Sequence, residues 1–324
     1  MKFFSLLLLT AATVATHAKE APALELEQTI PLPDVAGRID HLTLDSAGSR
    51  LFVAALGNNT VEVIDLKTGK RTHTIRGLDE PQGIFYAADL GRLYVANGGD
   101  GALRIFEGAN LEPAGVVPLS GDADNVRYDA RTKQIVVGYG KGALAFVDTA
   151  KNEIAGTAPL SGHPESFQIE RDGPRIFVNV PGSRHVAVVD RVSRKTTATW
   201  PTGALVANYP MALDEANHRL FAASRIPSRL LVFDVLAGRE SAKLELHGDC
   251  DDLFWDAERK RLYASCGEGC LDIFFAPDAD HVEKAESVAT APGARTCGFD
   301  GKRIYLAVPR RGKQDAEVRV FTAR

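Results

Sequence analysis

The sequence has 324 residues, of which 45% are hydrophobic and 25% charged, with a formal net charge of −4 and a pI near 6.1. This composition is ordinary for a globular protein and excludes a disordered or low-complexity chain. The balance is slightly acidic and gives no electrostatic footprint for nucleic acid, whose binding proteins concentrate lysine and arginine on one face. We therefore expect no nucleic-acid partner.

The first eighteen residues have the pattern of a secretory signal peptide. Lys2 precedes an apolar run from Phe3 to Val14, and Thr16-His17-Ala18 has small residues at both ends. The run is too short to cross a bilayer of ~30 Å, and no later segment has the roughly 20 apolar residues of a membrane helix. We expect residues 1–18 to be cleaved as a signal peptide and residues 19–324 to form one domain without a membrane span, periplasmic or secreted.

One short apolar motif recurs seven times in the rest of the chain. Each copy is preceded by an apolar strand, and a turn rich in Gly, Asn or Pro leads to a second hydrophobic run and then to a weaker fourth strand. Helical repeats would show an apolar spacing of 3.6, which is absent. The copies are RLFVA from Arg50, RLYVA from Arg92, QIVVG from Gln134, RIFVN from Arg175, RLFAA from Arg219, RLYAS from Arg261 and RIYLA from Arg303.

Four short antiparallel strands in about 42 residues form one blade of a β-propeller. Seven copies therefore predict an all-β, seven-bladed β-propeller. The last copy ends at Arg324, just after its third strand, so its fourth strand must come from elsewhere. We expect residues 24–32, with the sequence LELEQTIPL, to complete the last blade and to remove an exposed sheet edge.

The run RLYVAN from Arg92, with the glycine-rich turn and hydrophobic strand after it, resembles the YVTN-type repeat of exported bacterial β-propellers, including YncE-like proteins. The resemblance covers essentially the whole chain after residue 18. It implies a non-catalytic binding or scaffold protein, although similar blades also occur in enzymes. We expect the protein to be a monomer.

The start of each innermost strand faces one mouth of the central channel, so aligned strand starts show what that mouth presents. Polar side chains fill two aligned columns, and the later inward positions are apolar. We expect the polar set to form a ligand-binding funnel. It comprises Asp40, Gln82, Asp124, Glu165, Tyr209, Asp251 and Arg295 in the first column, His41, Asn125 and Asp252 in the second, and Arg38 and Arg127 as flanking cations.

Each acid or amide taken alone could serve a structural role, because Asp and Asn begin strands by bonding to nearby backbone. As a set, four carboxylates in one funnel repel one another unless a cation, an arginine or a ligand compensates them. No cofactor is otherwise indicated, but oxygens of a subset could hold Ca²⁺ or Mg²⁺, and His41 or His163 would make a transition metal conceivable. That subset is Asp124, Asn125, Glu165 and Asp251.

Two functions fit this funnel. The first, which we favour, is a binding or scaffold protein that presents the funnel to a small ligand, an ion or a protein partner. The second is a divalent-metal-assisted hydrolase or lyase, similar to lactonase-type and streptogramin-lyase-type propellers. In that second case His163 or Glu165 is the candidate base.

Four cysteines lie in the last third of the chain, and export would place them where disulfides persist. The first strand of the sixth repeat returns antiparallel and puts Cys250 nearly opposite Cys266, so we favour that disulfide. Cys266 with Cys270, or Cys270 with Cys297, remain alternatives. A zinc site is disfavoured because no CxxC pair occurs.

Overall fold

The protein is a ring of seven four-stranded antiparallel sheets, which confirms the predicted β-propeller. The structure is a computed structural model that describes residues 22–47 and 49–324. The predicted signal peptide and its cleavage site lie outside the described residues. Within them, no helix is long and apolar enough to span a membrane.

Six blades are simple meanders in which consecutive strands pair, from the channel outward. Two short 3₁₀ helices, Leu56–Asn58 and Pro181–Ser183, lie in hairpins of blades one and four. Blades one and two contain β2 Leu42–Asp45, β3 Arg50–Ala55, β4 Thr60–Asp65 and β5 Lys70–Ile75, and β6 Pro81–Ala87, β7 Arg92–Asn97, β8 Ala102–Glu107 and β9 Glu112–Pro118, respectively. Blades three and four contain β10 Ala123–Asp129, β11 Gln134–Tyr139, β12 Ala143–Asp148 and β13 Glu153–Pro159, and β14 Phe167–Ile169, β15 Arg175–Val180, β16 His185–Asp190 and β17 Lys195–Pro201, respectively. Blades five and six contain β18 Val206–Asp214, β19 Arg219–Ile226, β20 Ser228–Asp234 and β21 Arg239–Glu245, and β22 Cys250–Asp256, β23 Arg261–Cys266, β24 Cys270–Phe275 and β25 Glu283–Ala289, respectively.

The seventh blade closes the ring with strands from both ends of the chain. It contains β26 Cys297–Phe299, β27 Arg303–Val308 and β28 Ala316–Ala323, with β1 Leu24–Leu32 as its outer strand. β1 runs antiparallel to β28, with Leu24 opposite Ala323 and Leu32 opposite Ala316. The predicted closure by residues 24–32 is confirmed, and it leaves no unpaired third strand at the seam.

The hydrophobic core lies between neighbouring blades. One cluster joins Val53 of blade one to Val318 of blade seven, and another joins Phe221 of blade five to Leu262 of blade six. Each sheet is therefore covered on both faces, which explains why the second strands are continuous apolar runs instead of alternating ones.

The arginine that opens the motif is a structural residue in blades one, four and five. In these blades its guanidinium pairs with the acid five residues earlier, at or just after the end of the innermost strand, and lies over the aromatic ring two residues later. This arrangement ties the turn to the core. The pairs are Arg50 with Asp45 at 2.8 Å, Arg175 with Glu170 at 2.5 Å and Arg219 with Asp214 at 2.6 Å, and the rings are Phe52 at 5.3 Å, Phe177 at 5.2 Å and Phe221 at 5.3 Å.

Candidate functional site

All seven blades contribute to a polar funnel at one mouth of the channel, with a volume of about 350 Å³. The inner strands of a propeller converge on its axis, so residues far apart in sequence become neighbours here. The lining consists of Arg38, Glu80, Gln82, Asp122, Asp124, His163, Glu165, Tyr209, Arg225, Asp251 and Arg295.

On one side of the funnel, acids and arginines neutralise one another. Asp251 lies 2.6 Å from Nη2 of Arg225 and 3.1 Å from Nε of Arg295. Both arginines also contact Asp249, at 3.3 and 3.1 Å, and the Arg225 guanidinium lies 4.4 Å from the centre of the Tyr209 ring. Burial raises the pKa of Asp251, and the two arginines oppose that rise. This side has no carboxylate left over for a cation.

The opposite side carries a cluster of potential ligand atoms from three side chains. One ligand atom each from Asp124, His163 and Glu165 lie within 4.8 Å of one another. Nδ1 of His163 donates a hydrogen bond of 2.6 Å to the Gly140 carbonyl, which leaves Nε2 facing Asp122 at 3.8 Å and Asp124 at 4.0 Å. A histidine held through Nδ1 in this way is typical of metal ligands, because the second bond fixes the tautomer.

The backbone around the cluster fixes its geometry. A Cβ at Gly83 would lie 2.0 Å from the Asp124 carbonyl oxygen, so only glycine allows blades two and three to approach this closely. The Glu165 amide donates to the Asn179 carbonyl at 3.0 Å, and the Asn179 side chain donates to the Tyr209 carbonyl at 2.9 Å. The strand starts of blades four and five are thereby held in register.

Without a ligand, the environment of this cluster shifts the pKa values of two of its side chains away from their ordinary values. Burial, reinforced by the Asp124 carboxylate, raises the pKa of Glu165 to about 8. Interaction with Asp124 raises the pKa of His163 to about 9, although burial opposes it. At neutral pH Glu165 is therefore protonated and His163 is cationic. A divalent cation would displace both protons and would balance the negative charge of the two carboxylates in their place.

A layer of buried charges forms the floor of the funnel. Nδ1 of His41 lies 3.4 Å from Asp252 and Nε2 lies 3.8 Å from Asp40, which in turn pairs with Arg38 at 2.8 Å. Burial disfavours the charged imidazole of His41, but Asp252 and Asp40 outweigh it and raise its pKa to about 10. Burial raises the pKa of Asp40 to about 6, although His41 and Arg38 lower it. This layer closes the funnel from below.

A second space, here called the lower cavity, lies on the other side of this floor and has a volume of about 460 Å³. In blade one it extends from His41 to Ser46, a strand length of about 15 Å. The prediction that the later inward positions are apolar is therefore wrong in part, because Arg127, Gln168 and Thr43 face this space alongside aromatic side chains.

The structure divides the predicted ligand set between three locations. Arg38, Gln82, Asp124, Glu165, Tyr209, Asp251 and Arg295 line the funnel, together with the candidate base His163. His41, Arg127 and Asp252 line the lower cavity, and Asp40 is buried beneath Arg38. Asn125 is buried, with its amide 3.3 Å from Asp124, and it lines neither space. Of the four residues predicted to bind a metal, Asp124 and Glu165 belong to the group of side chains whose ligand atoms lie within 4.8 Å of one another, whereas Asn125 and Asp251 do not.

Sequence reasoning missed four residues at the funnel. Glu80, Asp122 and Asp249 occupy the position two residues before the first column, where Arg38 and His163 also lie. Alternate residues of a strand share a face, so the same alignment could have predicted that this position also faces the funnel. Arg225 gave no such signal, because the equivalent positions in the other repeats are small or apolar.

All four cysteines are free thiols in the structure, so the predicted Cys250–Cys266 disulfide is not formed there. The predicted proximity is correct, since Cys250 pairs directly with Cys266 across the strands and Cys266 pairs with Cys270. The thiols of Cys250 and Cys266 interact with each other without a covalent bond. Cys250 Sγ also donates to the Asp252 carbonyl at 3.6 Å, and Cys266 Sγ donates to the Ala264 carbonyl at 3.7 Å.

Another group of metal-type donors lies at the outer side of blade six, formed by His247, Cys270 and Asp272. Here Nζ of Lys284 lies 2.8 Å from Asp272 and 3.1 Å from Nδ1 of His247. The ammonium group already occupies the position that a cation would take. This group is therefore a weaker candidate than the funnel cluster.

No family model matches the sequence, and no curated protein matches it. Among solved structures, 1761 chains match, which makes the fold too widespread to select a function. One of them, a chain of a structure described as "Crystal Structure of Mitotic Checkpoint Complex", has a TM-score of 0.78 and 14% sequence identity, with 99% of this chain and 98% of that chain covered. At this identity the likeness shows the fold alone. The chain is a seven-bladed β-propeller.

Proposed function

We propose that the protein is an exported binding propeller of the YVTN type whose funnel holds a divalent cation and presents it to a small ligand or protein partner. The observation that carries this proposal is the convergence of Asp124, His163 and Glu165, whose donor atoms lie within 4.8 Å of one another. Export is supported by the signal-peptide pattern of residues 1–18, and the family by the repeats from Arg50 to Arg303.

The donor types favour a borderline cation such as Zn²⁺ over Ca²⁺ or Mg²⁺. One imidazole nitrogen and two carboxylate oxygens are a common zinc set, whereas Ca²⁺ and Mg²⁺ prefer oxygen alone. Ligand atoms around one Zn²⁺ are about 3.4 Å apart for bonds of about 2.1 Å, so the three side chains need to rotate inward by only about 1 Å. Three protein ligands leave a fourth position open toward the funnel.

Elemental analysis and titration calorimetry with Zn²⁺, Ca²⁺ and Mg²⁺ test the proposal on protein first stripped with a chelator. We expect one Zn²⁺ per chain in the wild type, and loss of that binding in Asp124→Asn, His163→Ala and Glu165→Gln. His281→Ala is the matched control, because His281 pairs with Asp278 at 2.7 Å on the exposed surface of another blade. Binding that survives His163→Ala, or that disappears equally in His281→Ala, would contradict the funnel site.

A metal-assisted hydrolase or lyase remains a second candidate on one observation. The pKa of Glu165, raised to about 8 by burial, suits a group that exchanges a proton near neutral pH. This role competes with its role as a ligand, and neither Asn125 nor Asp251 is free to replace it. We expect no chelator-reversible lactone hydrolysis by the zinc-loaded protein. Turnover that Glu165→Gln abolishes while zinc stays bound would instead establish the enzyme.

A further inference from the structure

The lower cavity is a built site that is chemically distinct from the funnel. Every blade contributes to its wall, and Ser46 and Asp300 stand exposed at its outer end. Its volume of about 460 Å³ falls within the range of pockets that enclose small organic molecules. His41 and Asp252 line this cavity and not the funnel, and the exposed residues at its outer end mark the side from which a ligand reaches it.

Arg127 is the one residue that blade three contributes to the wall of this cavity. Nη1 donates to the Val126 carbonyl at 2.9 Å, and Nη2 lies 3.5 Å from Oγ of Ser166. Among the described residues, no carboxylate lies within 4.0 Å of its guanidinium nitrogens. A guanidinium has five N–H donors, so most of its donor capacity remains unused.

The surroundings of Arg127 compensate its charge only in part. Burial lowers its pKa, and the carboxylates of Asp252 and Asp124 oppose that effect without overcoming it. Asp252 is already engaged, with one oxygen 3.4 Å from His41 and the other accepting the Cys297 amide at 2.8 Å. A half-buried, under-compensated guanidinium is a binding group for a planar anion such as a carboxylate.

The rest of the wall is suited to an aromatic body. Phe85, Phe254, Trp255 and Phe299 line the cavity from three different blades. The Phe254 and Phe299 rings pack against each other at 6.3 Å with an angle of 55° between their planes. Aromatic rings of a ligand pack favourably against such faces and edges.

We propose that the lower cavity binds an aromatic carboxylate, with the carboxylate on Arg127 and the ring system directed toward Phe254 and Phe299. A bicyclic acid such as 2-naphthoate has the required combination of one planar anion and a flat apolar body. Gln168 and Thr43, which also face the cavity, supply polar groups for a substituent on the ring.

Titration calorimetry with 2-naphthoate tests this site, with 2-naphthylmethanol as the uncharged analogue. We expect saturable 1:1 binding of 2-naphthoate to the wild type, and weakening by about tenfold or more in Arg127→Met, since a charge-assisted contact is lost. Binding of 2-naphthylmethanol should be equal in both proteins. That equality also shows that the variant is folded and that its cavity is intact.

Arg225→Gln is the matched control, because Arg225 lines the funnel and not the lower cavity. This variant should bind 2-naphthoate as the wild type does, whether or not the funnel binds a metal. Absence of saturable binding to the wild type would overturn the proposal. An equal affinity of the wild type and Arg127→Met for 2-naphthoate, or a loss of binding in Arg225→Gln, would do so as well.

Discussion

Nδ1 of His163 donates to the carbonyl oxygen of Gly140 at 2.6 Å, and this bond turns the other ring nitrogen toward the carboxylate of Asp124. The accepting carbonyl belongs to the hairpin of blade three, and the donating histidine lies at the start of blade four. The site is therefore assembled from two blades, and its chemistry depends on how the propeller aligns them.

The stability of the metal-free protein should fall as the pH rises from about 5 to 9. The pKa of Glu165 is raised to about 8, so the folded state retains a proton that the unfolded chain has lost, and stability declines through that range. The pKa of His163 is raised to about 9, so the protonated His163 also makes stability fall as the pH rises above the ordinary pKa of histidine. Each group contributes up to about 1.4 kcal/mol per pH unit.

Glu165→Gln isolates the carboxyl contribution. We expect the variant to be more stable than the wild type at pH 8.5, by at least about 1 kcal/mol, and to show a flatter dependence on pH. Urea unfolding at four pH values in the presence of a chelator measures both. Parallel pH profiles for the two proteins would show that Glu165 is ionised in the folded state without cost.

The buried pair of Arg219 and Asp214 should be essential for stability. Both residues are almost fully buried, at 1% and 2% exposure, and the Arg219 guanidinium also donates to the Ala276 carbonyl at 3.0 Å. Arg219→Ala leaves an unpaired buried carboxylate, so we expect a loss of about 3–5 kcal/mol in denaturant unfolding.

Arg171→Ala is the control for that variant. Arg171 pairs with Asp172 at 3.4 Å, but both side chains are exposed. Exposed ion pairs contribute little, and the expected change is below about 0.5 kcal/mol. Similar effects for the two arginines would contradict a structural role for the arginine of the motif.

Closure of the ring by β1 should be visible in single substitutions. Ile30 is fully buried in the seam cluster, whereas its neighbour Thr29 points outward and is exposed. We expect Ile30→Ala to lower the free energy of unfolding by about 2–5 kcal/mol and Thr29→Ala to change it by less than about 0.5 kcal/mol. Thermal and urea unfolding measure the difference, and equal small effects would show that β1 is not part of the fold.

Thiol counting distinguishes the free cysteines of the structure from the predicted disulfide. All four are buried, and burial raises the pKa of Cys250 and Cys297, which slows their reaction as thiolates. We expect four reactive thiols in denaturant and almost none in the native protein. Two thiols in denaturant without reductant would instead show that one disulfide has formed.

The architecture was accessible from sequence because the repeat is a local pattern. The spacing of Arg50, Arg92 and their counterparts defines the blades, and residues 24–32 have the pattern of the fourth strand that the seventh blade uses. The convergence of Asp124 and Glu165 also followed from the alignment of strand starts. These inferences need only the ring geometry.

The pairing of charges was not accessible, because it depends on side-chain direction and on single departures from the repeat. Arg225 has no counterpart in the other blades, yet it neutralises Asp251, whereas the side-chain partners of Asp124 are Asn125 and His163. Asn125 turns into the protein beside Asp124, and Arg127 turns away from the funnel. Alternation along a strand predicts the face of a residue, but not what its side chain contacts.

Anomalous diffraction from crystals of the intact protein grown with Zn²⁺ is the most direct test of the funnel site. We expect a single strong peak about 2.0–2.2 Å from Nε2 of His163 and from one carboxylate oxygen each of Asp124 and Glu165. A funnel without a peak would contradict the proposed cation site, all the more if Zn²⁺ bound instead at His247, Cys270 and Asp272.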